Sequence, residues 1–174
     1  MRIISGKNKG RVIKAPNSLP VRPTTDMAKE AIFNILENRY FLEQKKVLDL
    51  FTGTGNIAFE FASRGAKDII AIDQHLHCCN FITKTATELD YKIDIRKMDC
   101  LDFLERTNAT FDIIFADPPY KFELYEKLKD IILNKELVNK DGCLIIEHNE
   151  NTKFDKENVE LRKYGSVHFS IFTT

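Results

Sequence analysis

Asp117, Pro118, Pro119 and Tyr120 close the apolar run 111–116 in the stretch "FADPPYKF", placing a carboxylate, two prolines and an aromatic ring side by side. Prolines cannot donate to a sheet ladder, so a strand must stop here with its last residues held extended. The chemistry that such a set serves is the handling of a planar exocyclic amine. The lone pair of that amine is delocalised into its ring, so the nitrogen must be turned toward an electrophile and its departing proton accepted. Asp117, aided by the Pro118 carbonyl, can accept hydrogen bonds from the NH₂ group while the Tyr120 ring stacks on the base. The plain alternative is a proline-rich turn with a solvated Asp117.

A second group stands in "DLFTGTGN", residues 49–56. Gly53 and Gly55 permit positive φ and close backbone approach, and a helix starting just after them presents unpaired N–H groups. Read alone, Gly53-x-Gly55-x-x-Ala58 also fits a dinucleotide loop or a tight strand-to-helix turn. Asp73 follows Gly53 by twenty positions, where a carboxylate can accept from both hydroxyls of a ribose. Asp99 closes the next strand, and either accepts from an adenine amino group beside the Cys100 N–H or caps the helix carrying Leu101 and Leu104. A nicotinamide enzyme has no use for an Asp-Pro-Pro-aromatic string, whereas methyl transfer from S-adenosylmethionine to an amine does.

These residues need a scaffold that brings strand ends together. From Lys46 onward, short apolar runs ("KVLDL", "DIIAID", "IDIRK", "FDIIFAD", "CLIIE") alternate with amphipathic stretches near 56–64, 75–89, 100–106 and 123–133. That rhythm predicts right-handed crossovers and a mostly parallel sheet covered on both faces, with ligands beyond the carboxyl ends of its strands. The tail "VELRKYGSVHFSIF" predicts an antiparallel edge hairpin turning at Gly165 and Ser166. Upstream, Thr25 or Asp26 can cap a helix whose Ala28, Ile32, Ile35 and Leu36 recur at helical spacing. Residues 2–5 and 11–14 predict two short strands joined by "GKNKG". Phe33, Phe59, Phe61, Phe103 and Phe111 read as core.

A chain of 174 residues with 43% hydrophobic and 30% charged residues is expected to form one domain, with a basic arm over 1–22 and a catalytic core over 23–174. It has no apolar run near the roughly 18 residues of a membrane span and no signal segment, so a cytoplasmic location is expected. The net charge of zero is unevenly spread. Residues 1–24 hold Arg2, Lys7, Lys9, Arg11, Lys14 and Arg22 without one acid, +6, which leaves −6 for the rest. Such an end either contacts a polyanion or is a solvated arm. The four cysteines lack zinc-type spacing, His75, His77, Cys78 and Cys79 form no recognisable metal site, and no metal is expected. His148 reads as a solvated loop histidine, with the cleft as its alternative.

The sequence resembles the bacterial RsmD-type enzymes, which methylate the exocyclic N2 of a guanine in 16S ribosomal RNA of the small subunit. The resemblance spans nearly the whole chain: "RIISGKNKGR", "RPTTDMAKEAIFNIL", "VLDLFTGTGNIAFEFASRGA", "FDIIFADPPY" and "YGSVHFSIF". The glycine loop and "DPPY" are shared by many amino-methyltransferases; the first two stretches are more particular to this family. The resemblance implies a Rossmann-like class I methyltransferase: a doubly wound, mostly parallel seven-stranded α/β sheet with an antiparallel C-terminal edge hairpin and an N-terminal basic β-hairpin. It implies that Asp49, Phe51, Thr52, Gly53, Thr54, Gly55, Asp73, Asp99 and Cys100 hold S-adenosylmethionine, and that Asp117 to Tyr120 hold the guanine. Arg2, Lys7, Lys9, Arg11, Arg22 and Thr25 would contact RNA within an assembled small subunit; nothing in the sequence marks a dimer surface, and a monomer is expected. Two departures stand out: Met27 where the family usually has a basic residue, with Lys29 nearby, and Asp73 with His75 where it often has Glu and an acid. Alternative readings are an adenine-N6 or protein glutamine-amide methyltransferase, or a non-catalytic RNA-binding assembly factor.

Overall fold

The computed structural model describes residues 1–16, 19, 25–154 and 159–174. Its centre is a seven-stranded sheet in the order β3-β2-β1-β4-β5-β7-β6. Strands β1 (Lys46–Leu50), β2 (Asp68–Asp73), β3 (Ile93–Lys97), β4 (Phe111–Ala116) and β5 (Val138–His148) are parallel, and β7 (Val167–Thr173) and β6 (Val159–Tyr164) close the edge antiparallel. Period-two alternation divides the strand side chains between two faces. Leu48, Leu50, Ala116 and Ile146 face helices α4 (Cys100–Arg106) and α5 (Tyr125–Asn134), while Val47, Phe115 and Ile145 face α1 (Asp26–Arg39) and α2 (Asn56–Ser63). The central strands are apolar on both faces because helices cover both. Helix α3 (Leu76–Glu88) packs its Ile82 and Ala86 with Phe59 of α2 and with Ile3 and Ile13 of the N-terminal arm.

The predicted helices lie within two residues of those observed, and the five phenylalanines assigned to the core are all buried. Two elements differ. Strand β5 begins at Val138, five residues before the apolar run "CLIIE", because its first half is polar and irregular. Asp141 sits at φ 62, and the register slips between the pairs Phe111↔Val138 and Ile113↔Cys143. A bulged, solvent-facing stretch has no alternation to read.

The N-terminal segment is a short hairpin but not two full strands: it has the one bridge Arg2↔Val12, flanked by Ile3 N–H on the Arg11 carbonyl and Ile13 N–H on the Met1 carbonyl, both at 2.9 Å. The ladder is interrupted because Ile4 and Ser5 donate their N–H groups to the Glu60 carboxylate of α2, at 2.8 and 3.0 Å. Lys7 N–H donates to the Ser63 carbonyl at 2.7 Å, and a Cβ on Gly6 would lie 1.9 Å from that same oxygen. Only glycine, at φ 84, lets the arm lie this close to α2. The arm is therefore docked, with Arg2, Lys7, Lys9, Arg11 and Lys14 exposed on its outer side.

Candidate active site

Strand order reverses between β1 and β4, and beyond the carboxyl ends there opens a cavity of about 880 Å³. Its wall includes Asp49, Phe51, Thr52, Gly53, Thr54, Asp73, Asp99 and Cys100 on one side and Asp117, Pro118, Pro119 and Tyr120 on the other. Thr25 reaches the same wall while serving as N-cap of α1, its hydroxyl accepting from Ala28 N–H at 3.2 Å. Gly55 shapes the turn below the wall. At φ 77 it forms the N-cap of α2, and an added Cβ would meet the Phe59 ring at 2.8 Å. Arg2, Lys7, Lys9 and Arg11 lie apart from the cavity on the arm, and Arg22 lies outside the described residues.

The glycine loop is held by the two carboxylates nearest to it. Asp49 Oδ2 accepts from the Thr52 hydroxyl at 2.6 Å and from Ala58 N–H at 3.1 Å, so the first turn of α2 spends a donor on the protein's own acid. Asp73 accepts from Gly53 N–H through Oδ2 and from His75 N–H through Oδ1, both at 2.8 Å. Each Asp73 oxygen keeps a further lone pair able to accept another hydrogen bond. Asp99 satisfies the capping alternative, accepting from Leu101 and Asp102 N–H through Oδ1 alone while still facing the cavity. Phe51 stands at φ 58, a strained conformation for a bulky residue, with its N–H donated to the Cys100 sulfur at 3.2 Å.

Burial pushes the Asp49 carboxyl up to about 7, against the pull of the Thr52 and Ala58 hydrogen bonds and with a smaller push from Asp73. In the window from 3.8 to about 7 the folded chain holds a proton that the unfolded chain has released. Stability from this group is therefore full below that window and falls as pH rises through it, by a total on the order of 4 kcal/mol. Asp49→Asn is expected to flatten this part of the melting-temperature profile, measured by thermal unfolding from pH 4 to 8. An unchanged profile would show that Asp49 is ionised throughout.

At the opposite wall, Asp117 N–H reaches back to the Leu50 carbonyl at 3.3 Å, tying the end of β4 to β1. Phe122 N–H closes a turn onto the Pro119 carbonyl at 2.8 Å, leaving the Tyr120 ring 81% exposed at the rim as an open stacking face. Beneath runs a row of edge-on rings: Phe51 to Phe122 at 5.2 Å, Phe122 to Tyr125 at 5.1 Å, Tyr125 to Phe154 at 6.4 Å and Phe154 to His148 at 5.5 Å. The row links the glycine loop to the end of β5 through apolar contact. Among the described residues no group of three His, Cys, Asp or Glu side chains is placed to hold a metal ion, and the four cysteines are buried thiols.

The family model described as conserved hypothetical protein 95 matches residues 1–173. This chain belongs to that family, which is the RsmD type. Several relatives carry the name Ribosomal RNA small subunit methyltransferase D, two of them at 30% identity or more. One, from Buchnera aphidicola, is 33% identical over 83% of this chain and 76% of its own length, and the other, from Haemophilus influenzae, is 30% identical over 84% and 78%. Among solved structures, a hypothetical protein of Thermus thermophilus superposes with a TM-score of 0.89 at 24% identity, covering 100% of this chain and 99% of the other. The T. thermophilus 16S rRNA N2 methyltransferase RsmC, in complex with AdoMet and guanosine, superposes at 0.71 with 18% identity over 90% and 45%. The fold is that of the class I S-adenosylmethionine methyltransferases.

Against the family pattern, Lys29 does not stand in for a basic residue at Met27. Met27 is exposed, whereas Lys29 is 1% exposed and donates to the Arg2 carbonyl at 2.6 Å and Asn56 Oδ1 at 2.7 Å, with Glu60 at 3.5 Å. Burial lowers its pKa, and the neighbouring Glu60 and Asp26 charges oppose that. This buried group joins the arm to the helix behind the glycine loop, and its only trace in the sequence is Glu60 and Arg64 at i,i+4 spacing, bonded at 2.8 Å. His148 is also unlike the loop histidine expected. It lies inside β5, 6% exposed, with Nδ1 bonded to the Asn149 carbonyl and Nε2 to the Ser170 hydroxyl, both at 2.8 Å. Burial, with the nearby His168, favours its neutral ring.

Proposed function

We propose that this protein methylates the exocyclic N2 amine of a guanine in 16S ribosomal RNA, with S-adenosylmethionine as methyl donor and the assembled small subunit as substrate. The observation that carries the reading is the meeting, in one cavity, of the glycine-loop residues with the Asp117–Tyr120 set. A volume of about 880 Å³ lies within the range of pockets that enclose small-molecule ligands. The bare turn at Gly53 and Gly55 and the carboxylates of Asp49, Asp73 and Asp99 fit a ligand with a ribose, an amino group and a cationic sulfur. Their places at the ends of β1, β2 and β3 support a role for them, with Phe51, Thr52, Thr54 and Cys100, in holding that ligand.

When bound, S-adenosylmethionine supplies a methyl group already activated toward an amine. The chain then has to position the amine and take its proton. Tyr120 offers its exposed face to a base flipped from the RNA. Asp117 and the Pro118 carbonyl accept from the N2 hydrogens, and an Asp117 carboxylate oxygen receives, or passes to water, the proton that N2 loses. Positioning supplies most of the acceleration, since Pro118 and Pro119 fix the acceptors before substrate arrives. The exposed arm residues Arg2, Lys7, Lys9 and Arg11 meet RNA phosphates, with Thr25 at the cavity mouth.

The deciding experiment is transfer of radiolabelled methyl to small subunits lacking the modification, beside naked 16S RNA, followed by nucleoside analysis. The expected product is N2-methylguanosine, formed faster on the particle. Label in N6-methyladenosine, or in protein amide, would overturn the substrate assignment.

A further inference from the structure

The parallel pairing of β4 with β5 sets Phe115 beside Ile145 and Ala116 beside Ile146. The residues that follow this last pair are Asp117, just past the end of β4, and Glu147, still within β5. Phe115 and Ile145 face α1 and α2, and Ala116 and Ile146 face the opposite side. Asp117 follows the last residue of β4 and Glu147 lies near the end of β5, and both line the cavity. Tyr125 reports on the pair: after burial, the charge of Asp117 and then that of Glu147 help raise the pKa of its phenol. The strand end that carries Glu147 is firmly held. Glu147 pairs with Phe169 of β7, and the next residue, His148, is bonded through both ring nitrogens.

Two adjacent carboxylates form an edge of acceptors, and the bases differ in what they present to it. Guanine offers N1–H directly beside the N2 amine, so one acceptor can take the amine and the other the ring N–H. Adenine places an unprotonated N1 beside its amine, and that lone pair would face the second carboxylate. Resting on the function proposed above, we propose that Glu147 is the specificity-determining residue, accepting N1–H of the target guanine while Asp117 holds N2. A site built to accept a ring N–H penalises an analogue lacking it far more than a missing methylene would, because an acceptor covered by the bound base is left facing another acceptor.

The test uses small subunits assembled with 16S RNA carrying either guanine or 2-aminopurine at the modified position. 2-Aminopurine keeps the amine but has a bare ring nitrogen beside it. The wild-type enzyme is expected to prefer guanine by roughly 10²-fold or more in kcat/KM. Glu147→Gln, whose amide can donate to that bare nitrogen as well as accept from N1–H, is expected to keep reduced guanine activity and to shrink the preference at least tenfold, roughly the value of one well-placed hydrogen bond. Its melting temperature should match the wild type. Glu147→Ala serves as a second variant, losing the preference without gaining the 2-aminopurine contact. Comparable wild-type rates on the two bases, or an unchanged ratio in either variant, would overturn the assignment. Absence of any label in guanine from the wild type would instead overturn the underlying function, so the two failures are distinct.

Discussion

Asp117→Ala is expected to lower the methylation rate by roughly 10²–10⁴, the range associated with lost acid–base assistance, while S-adenosylmethionine still binds. The separation follows from topology. The residues assigned to the cofactor end β1, β2 and β3, whereas Asp117 ends β4 on the far side of the switch point. One link to the cofactor side is its backbone N–H on the Leu50 carbonyl, which alanine keeps. Asp117→Asn divides the role further. The amide still offers one oxygen to the amine but is a very weak base, so a loss close to that of alanine would mark proton acceptance, and a much smaller one would mark orientation. Single-turnover rates on saturated enzyme, with equilibrium dialysis of the cofactor, make the measurement. Unimpaired turnover in the alanine variant with normal cofactor binding would remove Asp117 from the mechanism.

The parts of this site that are legible in sequence are those where backbone chemistry forbids alternatives. Pro118 and Pro119 end a strand wherever they occur, and Gly55 at φ 77 with no room for a Cβ marks a turn that other residues would strain. The strand ends bearing Asp73 and Asp117 are marked by apolar runs stopping at an acid. What is not legible depends on packing between distant segments. Glu60 looks like a surface acid on a helix until the arm is laid over it, 55 or 56 residues away in sequence from the amides it accepts. Lys29 looks like a replacement for a missing surface cation but points inward. His148 sits one residue beyond a recognisable apolar run, and its burial comes from β7 and Phe154, which local pattern does not reveal.

The acids of the cavity also follow an order that only the sheet displays. Asp73, Asp49, Asp117 and Glu147 stand at or just past the ends of β2, β1, β4 and β5, so four neighbouring strands bring an acid to the same cavity. Hydrogen bonds from the loop quiet the first two: Gly53 and His75 N–H on Asp73, and the Thr52 hydroxyl and Ala58 N–H on Asp49. The row thus passes from acids that build the loop to acids proposed to read a base, which accounts for the different roles of similar side chains a strand apart.

Glu60→Ala is expected to destabilise the protein by about 3–5 kcal/mol, the scale for breaking a buried charge group by removing one partner. For a chain of this size that corresponds to a fall in melting temperature of roughly 6–20 °C. Glu60 is fully buried; its Oε2 takes Ile4 N–H and faces Lys29 at 3.5 Å, and its Oε1 takes Ser5 N–H and Arg64 Nε at 3.0 and 2.8 Å. Alanine would leave the Lys29 ammonium facing a cavity and two arm amides without their acceptor, so the arm should lift before the sheet melts. Protease cleavage within residues 1–16 and hydrogen exchange of Ile4 and Ser5 would detect that lifting well below the global transition. If the arm carries RNA contacts, affinity should fall together with the salt dependence of binding, because fewer counterions are released when Arg2, Lys7, Lys9 and Arg11 no longer reach phosphates as a set. Glu60→Gln keeps an acceptor oxygen for the arm while discarding the charge, so it should preserve arm protection better than it preserves stability. Full protection of the arm in Glu60→Ala would show that Ile3 and Ile13, packed on Phe59 and Ile82, hold it without the carboxylate.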